Sequence, residues 1–555
     1  LEQLKPVLSP ARAPGLGRVT ALHAVVLTCG VLCAFHPTLL SGGTRLQTDP
    51  GDTILNNYVL EHTWLWATRP GYVGTLWSPP CFYPAPLTLA YSENLLGTAP
   101  LYWLFRTGCT PLAAYIAWMV AVSALTYAAT AGALRCFGVG HVFAAFGGFV
   151  FAFGLPRVVN VCHQQLLPHL FAPVAVCAAW RMVTRPRLRT LAVLVAACIL
   201  QALSSIYLGW FLLLALALFL PLLLATHANH WADLAAFSSR SWLPAAALLA
   251  AGAVPFALLQ HVYAEANGGF VREWEECISH MPCATDWLLP PPVAATSHWF
   301  GVACDSTNLE RWCFPGWVVL TLALLGAVLA VGRPSLLGRE RARVVLALLA
   351  TALTLAIFSV TDPVGGSLWR VVYDNVPGAK AIRAVGRVGL TVLLFGLTGG
   401  LLALDALVRA PGPGRRLRWA VAGLVLLAGS LEQVVVELPG FDAVSFHARA
   451  QALSKMLRRG TAAYVVPQPE GQWYTGELLA MWAGLYGNQR VVNGYSGRSP
   501  NQFPDPPMPP DVVFGWLAAN TPPGELWGGQ LLYVAPDPGR HGDYRGVLLE
   551  ATNHP

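Results

Sequence analysis

Residues 21–40 read ALHAVVLTCGVLCAFHPTLL, twenty positions without Asp, Glu, Lys or Arg. As an α-helix rising about 1.5 Å per residue, this stretch crosses the ~30 Å hydrocarbon layer of a bilayer. Lys5, Arg12 and Arg18 precede it and no small-residue cleavage site is evident. It therefore reads as a signal-anchor helix with a cytoplasmic N-terminus, not as a removable leader.

The rest of the chain has the same character. Of its 555 residues 55% are hydrophobic and only 11% charged, and the mean hydropathy is +0.52. Soluble domains carry about 25% charged residues, so most of this surface faces lipid. The net charge of +7 is spread over short loops without a dense basic tract, which excludes nucleic acid as a partner. Lysine occurs only at 5, 380 and 455, and arginine supplies the other cations; this bias suits a GC-rich bacterial genome.

Apolar periodicity and length predict eleven spans: 20–40, 110–133, 142–158, 165–181, 190–206, 208–226, 243–262, 315–332, 344–361, 388–408 and 419–436. The 190–226 run is too long for one helix and is expected to break at Ser204–Tyr207. Segment 87–105 contains Glu93 and Asn94 between Pro86 and Pro100, and is expected to be interfacial or re-entrant. With the N-terminus inside, seventeen cations fall in short cytoplasmic segments, against ten in the much longer opposite loops before residue 437. Counting 87–105 as a span would reverse that asymmetry. The expected fold is thus an α-helical polytopic membrane protein. It has a cytoplasmic 1–19, a membrane domain 20–436 with large outer loops at 41–109, 263–314 and 362–387, and a small extracytoplasmic α/β domain at 437–555. In that domain 462–466, 490–493, 530–534 and 545–551 read as strands, and 445–457, 477–485 and 512–519 as helices.

Cys277, Cys283, Cys304 and Cys313 share the 263–314 loop and are disulfide candidates on an oxidising face, with three pairings open. Cys29, Cys33, Cys136, Cys177 and Cys198 lie in or beside spans and read as small buried hydrophobes.

Just after the first span comes Thr48-Asp49-Pro50-Gly51-Asp52-Thr53-Ile54-Leu55-Asn56-Asn57. Pro50-Gly51 turns the chain, and Asp52 or Thr53 can cap a following helix whose apolar side, with Leu55, Val59 and Leu60, suits the membrane surface. Two carboxylates are thereby held just outside the bilayer. Capping alone would account for them. Arg157, His163, Lys380, Arg383 and Arg387 flank spans on the same face and are candidate phosphate binders; for Lys380, Arg383 and Arg387 lipid-headgroup anchoring is the alternative. His169 lies within an apolar run and demands a hydrogen-bond partner. Glu93 sits at interface depth, where it could position an acceptor or pair with Arg157.

This order of parts resembles the GT-C superfamily of membrane glycosyltransferases, which includes protein O-mannosyltransferases, aminoarabinose transferases and oligosaccharyltransferases. Short pieces resemble poorly characterised bacterial members: Gly51–Asn56, Phe82-Tyr83-Pro84-Ala85-Pro86 with Tyr91-Ser92-Glu93, Phe314-Pro315-Gly316, Pro377-Gly378 running to Arg383 and Arg387, and Asn493-Gly494-Tyr495-Ser496-Gly497. The resemblance implies transfer of a sugar from a polyprenyl-phosphate donor to an extracytoplasmic acceptor at a bacterial inner membrane. Asp52 would be the general base with Asp49 its helper, and a divalent cation, Mg or Mn, would be the cofactor. Substrate contacts would fall to Glu93, Arg157, His163, His169, Lys380, Arg383 and Arg387. The pair is spaced D-x-x-D here, where characterised members have adjacent or D-x-D acids, and no Trp-Trp-Asp signature is present. A catalytically silent subunit of a larger membrane assembly is the second reading. A transporter or flippase is the weakest, because no internal repeat is seen and ionisable residues deep in the spans are few.

Overall fold

The computed structural model describes residues 16–160, 162–226, 228–362, 364–457, 461–468, 472–521, 530–536 and 544–550. Lys5 and Arg12 lie outside these. Helices dominate, and eight among the described residues are long and apolar enough to cross a membrane: Gly17–Leu40, Pro111–Cys136, His141–Val158, Gln164–Thr184, Ile206–Ala225, His230–Asn267, Arg339–Ser359 and Val385–Arg409. Leu188–Ser204 and Trp317–Gly332 are shorter apolar helices, and the helix Arg415–Leu431 lies on the last expected span. The predicted hairpin falls at Ser205, which separates Leu188–Ser204 from Ile206–Ala225 and accepts the Leu208 N–H as helix cap. Segment 87–105 forms a 3-10 turn, Thr88–Tyr91, and part of the helix Ala99–Arg106, neither long enough to span.

The helix Gly389–Arg409 is buried along nearly its whole length and packs against Trp317–Gly332 and Arg339–Ser359. A Cβ at Gly400 would lie 2.8 Å from the Leu322 carbonyl carbon, so only glycine lets these two backbones approach. Its surface is apolar without amphipathic alternation because protein, not water, surrounds it.

Two features tie the opening loop to the chain's end. Arg45–Gln47 pairs antiparallel with Gly440–Asp442, and the helix Gly51–Thr68 packs against Trp473–Gly487. Trp482 donates its indole N–H to the Ile54 carbonyl. The Gly51–Thr68 helix was expected to lie along the membrane surface. In the structure every residue of it from Gly51 to Thr63 except Asp52 is buried, with helix Trp473–Gly487 packed on it. A three-stranded sheet follows, with Ala462–Val465 parallel to Gln530–Pro536 and the latter antiparallel to Tyr544–Glu550. The expected strand at 490–493 is reduced to a single parallel bridge, Ala463 with Val491. Helices Ala443–Ser454, Trp473–Gly487 and Pro510–Asn520 occupy the three expected positions.

The four loop cysteines do not pair with one another: all are free thiols. Cys277 and Cys313 donate S–H to the Ile382 and Gly386 carbonyls, and Cys283 Sγ accepts from Arg311. The bridge that does form joins Cys136 to Cys177, two residues that read as buried hydrophobes from sequence. The packing of helix Pro111–Cys136 on Phe171–Thr184 brings them together.

Candidate functional site

Asp49 Oδ1 accepts the Gly51 N–H at 2.7 Å, a local turn that starts the Gly51–Thr68 helix directly after Pro50. Asp52 is consequently not the cap. It stands in the first helical turn, where the helix dipole favours a negative charge, and its side chain reaches across the structure. His163 Nδ1–H donates to Asp52 Oδ2 at 2.8 Å, Gln165 Nε2–H to the same oxygen at 3.0 Å, and Tyr495 OH to Oδ1 at 3.3 Å. The 163–165 turn is fixed by two further contacts to the helix: Asn56 donates to Gln165 Oε1 at 2.7 Å and Gln164 to Thr53 Oγ1 at 2.8 Å.

The network continues beyond His163. Its Nε2 lies 3.2 Å from Glu310 Oε1, and Glu310 is gripped at both oxygens by Arg387, with Nε to Oε2 at 2.9 Å. A Cβ at Gly386 would overlap the Glu310 carbonyl oxygen, so this glycine permits the loop to reach its cation. The Arg387 guanidinium stands 4.8 Å from the Tyr207 ring centroid, in the range of cation–π attraction. Charges alternate along the line: Asp52, His163, Glu310, Arg387.

An imidazole with a carboxylate on each nitrogen holds two protons. Burial alone would push His163 toward the neutral form, but Glu310 and the bond to Asp52 outweigh it and hold its pKa well above the usual histidine range. The same pairing works on the acids. Burial would raise Asp52, yet His163 and Gln165 leave it lowered; burial would raise Glu310, yet Arg387 and His163 hold it well below the carboxylate range. Asp52 is therefore ionised at neutral pH, and about a quarter of it (24%) is accessible, as is 18% of His163.

Tyr495 is delivered from the end of the chain by the turn Asn493-Gly494-Tyr495. Buried Glu477 holds that turn, accepting from Asn493 Nδ2 at 3.1 Å and from the Gly494 N–H at 2.9 Å. Burial pushes the Glu477 carboxyl up to about 7 against those two bonds. A Cβ at Gly494 would overlap the Phe82 ring, which couples this turn to the Phe82-Tyr83-Pro84 segment.

The remaining expected site residues separate. Arg157 is 3% exposed and donates to the Leu166 carbonyl and to His169 Nδ1, the latter at 3.1 Å. The two are held together inside the bundle, with His169 Nε2 left without a hydrogen-bond partner, and neither member reaches the Asp52 network. Glu93 does not meet Arg157. It accepts from Ser205 Oγ at 3.0 Å and from the Ile206 and Tyr207 N–H groups, neutralising the N-terminus of helix Ile206–Ala225. Arg383 sits at the rim, its guanidinium 3.9 Å from Glu276 and its backbone N–H on Tyr207 OH at 3.1 Å. Lys380 lies 5.4 Å from the Tyr373 ring centroid. Glu310, Gln165 and Tyr207 were not singled out from sequence. Their signals were faint: Glu310 stands four residues before the Phe314-Pro315-Gly316 piece, and Gln165 two after His163.

The donor set does not suit a divalent cation. Asp52 already takes three hydrogen bonds, Asp49 Oδ1 serves its own turn, and His163 has a carboxylate on each ring nitrogen and so no lone pair to give. Among the described residues no three His, Cys, Asp or Glu side chains are arranged to hold a metal ion. An imidazolium stands between the two carboxylates.

No family model matches the sequence, and no curated protein matches it. Solved structures align with it over most of its length. The apo crystal structure of the Archaeoglobus fulgidus oligosaccharyltransferase aligns at a TM-score of 0.48 and 11% identity, over 86% of this chain and 64% of that one. The cryo-EM structure of the arabinofuranosyltransferase AftD from Mycobacteria aligns at 0.47 and 17%, over 86% of this chain and 32% of that one. Apo ArnT from Cupriavidus metallidurans aligns at 0.39 and 13%, over 94% and 93%. The chain thus spans less than two thirds of the first two. Two of the three carry the names of sugar-transferring enzymes, an oligosaccharyltransferase and an arabinofuranosyltransferase.

Proposed function

We propose that this chain is a membrane glycosyltransferase that moves a sugar from a polyprenyl phosphate to an acceptor hydroxyl outside the cytoplasm, with Asp52 as general base. The supporting observation is Asp52 itself, ionised and partly accessible, beside a fixed cation at the end of the bundle covered by Tyr495. The polyprenyl donor comes from the family resemblance of the sequence. The eleven-span arrangement, with the Asp52 loop and residues 437–555 both extracytoplasmic, belongs to the same proposal. It agrees with the pairing of Arg45–Gln47 with Gly440–Asp442, which holds the two regions in one compartment.

In this reading the acceptor O–H gives its proton to Asp52 as its oxygen bonds to the anomeric carbon. The bond from that carbon to the phosphate oxygen breaks, and the lipid phosphate leaves with the electron pair. His163 and Arg387 set the local positive field, and Arg383 and Lys380 at the rim can meet the departing phosphate. Tyr495 and Gln165 keep the carboxylate oriented. Arg157, His169 and Glu93 hold the scaffold and have no part in the chemistry.

The three hydrogen bonds on Asp52 also suit a second reading, a structural pin in a silent subunit. Asp52→Asn separates the two. In membranes supplied with a radiolabelled polyprenyl-phosphate sugar, loss of transfer with an unchanged unfolding temperature supports the base. Unchanged glycan products with a lowered unfolding temperature support the pin.

A further inference from the structure

A cavity of about 760 Å³ opens at the opposite end of the bundle from Asp52. Five arginines converge on it from two separate parts of the chain. Arg181 closes the helix Phe171–Thr184, Arg185 and Arg187 lie in the link that follows, and Arg189 stands in the first turn of Leu188–Ser204; Arg341 comes from the first turn of Arg339–Ser359. Trp180 and Leu402 give the cavity an apolar floor.

The charges here are not matched. Glu340 is the one carboxylate among the lining residues, and it is bound by Arg343 at 3.0 Å. Arg341 lies 3.9 Å from Asp405, which Arg409 already holds at 3.0 Å. Among the described residues Arg181, Arg185, Arg187 and Arg189 form no ion pair with a carboxylate. Loop arginines alone would follow from the charge asymmetry that orients membrane proteins. That asymmetry does not explain why Arg341, some 150 residues further on, is packed onto the same cavity, nor the room left between them.

We infer that this cavity binds a phosphate-bearing ligand with two or more negative charges. Guanidinium groups present paired N–H donors that match phosphate oxygens, and several of them around one cavity suit a polyanion better than a single carboxylate. The ligand is either an anionic phospholipid, whose chains would lie on the Trp180 floor, or a soluble phosphorylated molecule. The site is independent of the Asp52 network and of the reaction proposed for it.

The test uses the full-length detergent-solubilised protein and native mass spectrometry with added cardiolipin, phosphatidylcholine or inorganic pyrophosphate. Expected is a preference of about tenfold or more for an anionic species over phosphatidylcholine. The double variant Arg187→Gln/Arg189→Gln should lose it by a similar factor, and Arg341→Gln, in a different helix, should weaken it as well. Arg415→Gln/Arg416→Gln, the same charge change at the start of helix Arg415–Leu431 and outside the cavity lining, should leave it intact. Anionic lipid binding without pyrophosphate binding assigns a headgroup; pyrophosphate binding without lipid binding assigns a soluble ligand. The inference is overturned if the unmodified protein shows no preference, or if the 415/416 control loses as much as the 187/189 variant.

Discussion

The two ends of the helical bundle use cations in opposite ways. At the Asp52 end His163 stands between two carboxylates and Arg387 grips one, and the space beside Glu310 and Arg387 measures about 10 Å³. At the other end five arginines face one carboxylate around a cavity of about 760 Å³. Alternating charges attract along the line and need no further partner, so they fix one geometry with one ionised, partly open carboxylate. Like charges around a space repel and stay hydrated until an anion arrives. The first arrangement suits chemistry at a set position, the second suits capture.

Breaking the first end should have the largest effects. Asp52→Asn should lower sugar transfer by about 10²–10⁴-fold, the range for loss of a positioned base, as read from initial rates in membranes. Glu310→Gln should cost about 3–5 kcal/mol, because it leaves Arg387 buried with no counter-charge; thermal unfolding in detergent measures it. A loss below about 1 kcal/mol would mean that the line of charges does not hold this end together.

His163 gives a pH test. Its folded pKa is raised above the ordinary value, so its stabilisation is complete below about pH 6.5 and is lost as pH rises through the raised value. Asp52 and Glu310 are lowered, so their contribution is complete above about pH 4 and is lost on acidification. The stability margin of the unmodified protein over His163→Gln should be about 2 kcal/mol at pH 6 and should shrink on the alkaline side. A margin that grows with pH would contradict the imidazolium.

Glu477 runs the other way. Its folded pKa of about 7 exceeds the unfolded value, so the fold binds more protons and stability falls as pH rises from about 4.5 to 7. Glu477→Gln should remove that slope and leave a change of about 1 kcal/mol at pH 7. The smallest effect belongs to the other end. Arg187→Gln/Arg189→Gln should alter unfolding by no more than about 0.5 kcal/mol, since these arginines make no ion pair whose loss would be felt. A larger loss would place them in the fold instead of at a ligand site.

The sequence by itself determined the membrane character, the positions of the apolar helices and the break at Ser204–Tyr207, because hydropathy and helix length are local properties that a bilayer reads directly. It also drew attention to Asp52, His163 and Arg387. Only the tertiary structure decided what each of these touches. Glu310 joined the network and Glu93, Arg157 and His169 left it, since the partner of a buried charge depends on which loops meet, and residues 52, 163, 310, 387 and 495 are far apart along the chain. The burial of helix Gly51–Thr68 and the Cys136–Cys177 bridge were hidden for the same reason. A one-dimensional pattern shows what a residue must avoid, water or lipid, and not which distant residue will satisfy it.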